Sequence, residues 1–173
     1  MYEGVLHIDT TQYVTGALPY RITITVFTER GIVETKSWNI DIDSLPDYPK
    51  EAYMDYFNSS DRPTSNLQNV KSVIAELSHL LLRYAKKPFI GLSNEANCPI
   101  AIWTRDRKMF EILDELAIGC RIPLPIGKEC YWTSVKKFDI KTSNIPIEKS
   151  PEAFCNNLAI YLVRKYDSCM TLM

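Results

Sequence analysis

Apolar residues run almost unbroken through Gly4-Val5-Leu6-His7-Ile8-Asp9, the signature of a strand covered on both faces in the middle of a sheet. Gln12 to Tyr20, with Gly16 and Pro19, reads as a turn or loop. Arg21-Ile22-Thr23-Ile24-Thr25-Val26-Phe27-Thr28 then alternates apolar and polar with β-branched residues throughout, which predicts a second strand. Glu29-Arg30-Gly31 makes a tight turn and Ile32 to Ile40 returns as a third, so the first forty residues form an antiparallel meander. Residues 41–66 are punctuated by proline, aspartate and serine, leaving room for one short helix at Lys50 to Phe57.

A three- and four-residue recurrence of Leu67, Val70, Val73, Ile74, Leu77, Leu80, Leu81 and Tyr84, opened by Ser65 and Asn66 as caps, predicts a helix of about five turns. Ile100-Ala101-Ile102-Trp103 is a short buried strand. It runs into a helix that starts at Thr104-Arg105-Asp106-Arg107, turns Phe110, Leu113, Leu116 and Ala117 inward and stops at Gly119 as a left-handed cap. Pro123, Pro125 and Gly127 mark a loop, and Tyr131 to Ile140 is the predicted fifth strand. Ser150-Pro151-Glu152 opens the last helix with a capping oxygen, a proline at the first helical position and a carboxylate at the positive end of the dipole. Its buried face is Ala153, Phe154, Leu158, Tyr161, Leu162 and Tyr166.

The expected architecture is a single α/β domain over residues 1–173, a mixed five-stranded sheet with helices on both faces. Right-handed crossovers set the fourth and fifth strands parallel to the first. The site in such a sheet lies at the carboxyl ends of its parallel strands, where Asp9 falls.

Composition changes this picture little. A formal net charge of −1 supplies no global field for polyanions, so nucleic-acid contact would need a local basic patch. Five cysteines without a Cys-x-x-Cys pair, and only His7 and His79 to join them, read as reduced intracellular thiols. No apolar run approaches the roughly 18 residues a membrane span requires, and the chain opens directly in a strand without a leader. The expectation is a cytoplasmic protein, in the host cytoplasm if phage-encoded, with no membrane partner.

The order of elements is that of the ribonuclease H-like fold, and the chain resembles the DEDD superfamily of 3′–5′ exonucleases, most of all the branch of exonuclease VIII and the T-even phage exonuclease A. The resemblance rests on three features. A first strand ends in the aspartate of an Asp-x-Glu motif, a short strand ending in tryptophan precedes a helix of Phe-Asp-x-x-Ile-Leu type, and a last helix opens on a His-x-Ala-x-x-Asp pattern. It implies four carboxylates holding two divalent metals about 3.5–4 Å apart for phosphodiester hydrolysis. Asp9 matches the first aspartate. Thr11 stands at the glutamate, Met109 at the second aspartate, Asn156 at the last aspartate and Pro151 at the general-base histidine.

A hydroxyl, a thioether and an amide do not replace three hard anionic ligands. The resemblance therefore implies a pseudo-nuclease with no cofactor that acts by binding, as a phage-type inhibitor or regulator of a host nucleic-acid or defence component. One alternative is an active exonuclease with Mg or Mn held by Asp9 and the displaced acids Asp106, Glu111 and Glu152. Another is a non-cleaving single-stranded nucleic-acid binder using Arg105, Arg107, Lys108, Lys136 and Lys137 along the cleft. Tyr48, Tyr53, Tyr56 and Phe57 would line that cleft, plug the core or form an interaction surface. His7 shares a strand face with Asp9 by two-residue alternation and reads as a hydrogen-bonded residue at the sheet edge.

Overall fold

The computed structural model describes residues 2–13, 16–45, 62–85, 100–104, 107–130 and 150–171. Its strands are β1 (Glu3–Tyr13), β2 (Gly16–Thr28), β3 (Gly31–Ile40), β4 (Leu67–Gln68), β5 (Ile100–Thr104) and β6 (Ile126–Cys130). The α-helices are α1 (Val70–Tyr84), α2 (Arg107–Cys120) and α3 (Pro151–Thr171). One mixed sheet runs β4-β3-β2-β1-β5-β6. Only β2 is antiparallel to its neighbours, while β1 pairs in parallel with β5, and β5 with β6. The expected α/β class and mixed sheet are present, with five longer strands and the two-residue β4 at one edge.

Alternation in β1 and β2 sends side chains to two separate cores. Leu6, Ile8, Ile22, Ile24 and Val26 join Trp38 and Ile40 of β3 under the apolar stripes of α1 and α2. Val5 and Phe27 lie on the opposite face, packed with Trp103 and the Phe154, Leu158 and Leu162 stripe of α3. Helices therefore cover both faces. Cys155 and Ala159 are also buried in the α3 core, which the sequence reading of that helix omitted. Its Ala153 and Tyr161 are half-buried, and the Tyr166 side chain lies outside the described set.

Several boundaries differ from expectation, each for a local reason. β1 continues to Tyr13 and β2 begins at Gly16, so the loop expected at Gln12 to Tyr20 is largely hairpin. A register shift at Asp9/Thr10 places Asp9 opposite Arg21 and Thr10 opposite Pro19, so Tyr20 is the extra residue. A bulge tolerates a residue that cannot donate to the ladder, which is why Pro19 does not end the strand. Residues 29–30 make the next turn, and Gly31 follows at φ 132°, where only glycine is unstrained.

The helix expected from Ser65 and Asn66 starts later. Asn66 sits at φ 57°, Leu67–Gln68 pair with Asn39–Ile40 as β4, and Asn69 caps α1 by accepting from the Lys71 N–H at 2.9 Å. Leu67 is 44% exposed and does not belong to the buried stripe. β6 begins at Ile126, inside the stretch read as a loop, because Ile126 and Cys130 register with Ile100 and Ile102. The fifth strand expected at Tyr131 to Ile140 and the short helix expected at Lys50 to Phe57 lie outside the described residues.

α2 does not end at Gly119 but at Cys120. Arg121 is its left-handed residue, at φ 58°, with Arg121 N–H donating to Ile118 at 3.0 Å and Ile122 N–H to Ala117 at 3.0 Å. This is the Schellman pattern, two residues past the glycine that looked fit to make it. The consequence is testable. An added Cβ at Gly119 meets nothing within 4 Å, so Gly119→Ala is expected to raise stability by about 0.5–1 kcal/mol. Arg121→Gly, by relieving a left-handed backbone that disfavours a Cβ, is expected to add roughly another 0.5 kcal/mol. Urea unfolding of both variants, at protein concentrations low enough to keep the chain monomeric, measures each gain, and a loss in either would contradict the cap assignment.

Candidate functional site

β5 stops at Thr104, opposite Leu6, so β1 runs on beyond the end of its parallel neighbour. Asp9 lies in that overhang, on the carboxyl-end side of the parallel strands as expected. It is buried, with a residual exposure of 5%.

Both of its carboxylate oxygens are engaged. Arg21 Nε donates to Asp9 Oδ2 at 2.6 Å, and His7 Nε2 lies 3.1 Å from Asp9 Oδ1. The first contact follows from the hairpin register, which sets Asp9 and Arg21 directly across from each other on one face. The second follows from the two-residue repeat of the strand. His7 is therefore hydrogen-bonded, as expected, in the part of β1 that runs past β5. It is buried on the central strand β1, with its ring edge-on to Phe154 at 5.3 Å between centroids. With Nε2 turned to Asp9, His7 Nδ1 is a buried atom without a hydrogen-bond partner, and so is Thr11 Oγ1 two residues beyond Asp9 on the same face.

The other residues assigned to motif positions do not converge on this carboxylate. Asn156 lies on α3, but its Oδ1 accepts from Thr25 Oγ1 at 2.8 Å and Thr35 Oγ1 at 2.5 Å, which ties α3 to β2 and β3. Met109 packs against the core on the opposite face of the sheet. Pro151 is buried at the start of α3. Of the acids considered as displaced ligands, Glu111 is exposed on α2 and Glu152 is exposed on the first turn of α3, while Asp106 lies outside the described residues. Among the described residues no group of three or more His, Cys, Asp or Glu side chains is placed to hold a metal ion.

Arg107 and Lys108 are exposed at the start of α2; Arg105, Lys136 and Lys137 lie outside the described residues, as do Tyr48, Tyr53, Tyr56 and Phe57. Beside the ion pair opens a polar cleft of about 450 Å³, lined by Arg21, Ser37, Asn39, Asn66, Gln68 and Glu152. Arg21 thus has two aspects, one on Asp9 and one on the cleft.

Arg21 and Cys155 are the site residues that sequence reasoning missed. The pairing of Arg21 with Asp9 is set by the β1/β2 hairpin, whose bulge at Asp9/Thr10 shifts the register and hides it in the sequence. Cys155 is held protonated: burial pushes its thiol far above the ordinary 9.0, with the charges of Asp9 and Glu152 adding to the shift. Cys155 is therefore poorly placed to act as a nucleophile, because the thiolate is the reactive form and its burial opposes it.

The raised thiol makes a pH prediction. An unfolded chain begins to lose the Cys155 proton near its ordinary value of 9.0, while the folded chain keeps it. The thiol's contribution is therefore complete below about pH 9 and is lost as pH rises from there through the folded value, by about 1.4 kcal/mol per pH unit. Denaturant unfolding at pH 8.5 and 10.5 (roughly two units) is expected to show that loss in the parent protein and a smaller one in Cys155→Ala. Equal losses would contradict it. Cys120, also raised by burial, contributes to both proteins alike.

No protein-family model matches this chain, and no curated protein is significantly similar to it.

Proposed function

We propose that this chain is a catalytically degenerate relative of the DEDD 3′–5′ exonucleases, in a ribonuclease H-like fold, that acts by binding at the former active-site face. The fold reading is supported by the strand order β3-β2-β1-β5-β6 with only β2 antiparallel to its neighbours. The functional reading is carried by one observation. The carboxylate that should anchor the metals is already held by a guanidinium and an imidazole, at 2.6 and 3.1 Å.

A divalent ion at Asp9 would have to displace Arg21 and would find Thr11 where a second carboxylate should stand. Hard cations gain affinity from the number of anionic oxygens, so a single committed carboxylate is a poor site. The face remains suited to recognition, with the polar cleft beside Arg21 and buried polar groups on a rigid strand. The occupant in this reading is a protein component of nucleic-acid metabolism or defence, of which the chain is an inhibitor or regulator.

A second reading has its own support. Arg107 and Lys108 are exposed at the start of α2, just after β5, where they can follow a phosphate backbone. A labelled single strand incubated with the protein and manganese distinguishes these. Both readings expect it to remain intact. Affinity that falls with salt and with Arg107→Glu or Lys108→Glu selects single-stranded nucleic acid as the occupant, and no measurable affinity selects the protein partner. Cleavage abolished by Asp9→Ala would overturn both.

A further inference from the structure

We propose that the exposed face of α2 around Ile118 is the contact surface of a two-fold homodimer. Ile118 is 70% exposed, the most exposed large apolar side chain among the described residues. It stands at the rim of an open apolar pocket of about 590 Å³ lined by Phe110, Leu113, Ala117, Ile122, Leu124 and Ile126. One copy thus presents both an apolar knob and a hole beside it, as a self-complementary interface requires.

The charges fit the same symmetry. Asp114 and Arg121, both exposed, border this pocket on either side of Ile118 along the helix. An antiparallel two-fold crossing centred near Ile118 sets Asp114 of each copy beside Arg121 of the other, and each Ile118 over the other copy's pocket. The pairing is isologous and occurs twice. A crossing in parallel would instead oppose like charges.

Two local choices point to the same patch. Gly119 leaves a gap in the helix surface beside Ile118, where a Cβ would meet nothing within the protomer. Arg121 occupies a left-handed position at φ 58° that glycine would fill with less strain. Each is unfavourable for the isolated helix, and each serves an interface. A missing side chain permits close helix approach, and the cap position aims a cation from the pocket rim. Sites that break local rules in this way are where function is expected. Gly119→Ala and Arg121→Gly, expected to stabilise the protomer, are accordingly expected to weaken association.

Sedimentation velocity over a concentration series tests this. The expected species is twice the 19.9 kDa chain mass. Ile118→Asp and Gly119→Lys are expected to raise the dissociation constant at least about tenfold, a change of roughly 1.4 kcal/mol. Asp114→Arg alone should weaken the dimer, by opposing like charges, and Asp114→Arg combined with Arg121→Asp should restore it to within about threefold of the parent. Circular dichroism establishes that each variant is folded. A parent protein that stays monomeric throughout, a dimer indifferent to Ile118→Asp, or a charge swap that fails to restore it would overturn the proposal.

Discussion

Arg21→Met is expected to destabilise the protein by about 3 kcal/mol, because it leaves the Asp9 carboxylate in place without its cation. The magnitude follows from burial. Asp9 is 5% exposed and the Arg21 side chain 16%, so water replaces little of the lost contact. His7 remains at 3.1 Å and cannot substitute for a guanidinium at 2.6 Å on the other oxygen. The decisive comparison is the double variant. Replacing both members of a buried pair removes the uncompensated charge as well as the attraction, so Asp9→Asn with Arg21→Met should recover more than half of the loss. Urea unfolding of the two singles and the double gives the coupling directly. Additive losses would mean that the two side chains are adjacent but energetically independent.

Phe154→Ala is expected to be at least as damaging, by about 3–5 kcal/mol. Phe154 is fully buried where α3 meets the sheet, packed with Val5, Phe27, Trp103 and Leu158 and edge-on to His7. Its removal leaves a cavity in the smaller of the two cores, which has few neighbours able to collapse into the space. The corresponding fall in melting temperature is about 10 °C for a chain of this size. A second readout localises the effect. Cys155 follows Phe154 on the same helix and is buried in the parent protein, so site-resolved alkylation of Cys155 should accelerate in Phe154→Ala. Slow labelling despite a large stability loss would show that α3 is held by something other than this contact. The strongest remaining candidate is the pair of hydroxyls from Thr25 and Thr35 on Asn156.

The large-scale architecture was readable because alternation and helical spacing each report burial on a face. Ile22, Ile24 and Val26 point to one core and Thr23 and Thr25 to the other side, as strict two-residue alternation requires. The stripe Val70, Val73, Ile74, Leu77, Leu80 and Leu81 is buried as its spacing implies. What escaped depended on pairing between distant residues. Pro19 looked like a strand breaker because the bulge that accommodates it exists only in the β1/β2 register. Leu67 fitted the helical stripe by spacing, yet a left-handed Asn66 diverts it into an edge strand. Gly119 had the chemistry of a cap, but hydrogen bonds from Arg121 and Ile122 carry the helix past it.

The site shows the same division. That His7 and Asp9 share a face follows from period two alone, and the position of Asp9 beyond β5 follows from the order of elements. The nature of the partners did not follow. The exonuclease resemblance leaves Asp9 without three further carboxylates; the structure gives it a cation twelve residues away and the neighbouring imidazole. The face of α3 that meets Asp9 also differs from the motif reading. Asn156 turns to the threonines of β2 and β3, and it is the buried thiol of Cys155 that feels the Asp9 charge.

Calorimetric titration of manganese into the purified protein, with Asp9→Asn as the comparison, tests most directly whether the Asp9 carboxylate is committed to Arg21 and His7. The expected result is no saturable heat in either protein at concentrations up to about 1 mM, a range that corresponds to binding weaker than roughly −4 kcal/mol. Saturable binding that disappears in Asp9→Asn would show that the carboxylate releases its cation to a metal, and a binding-only role for this face would then be wrong.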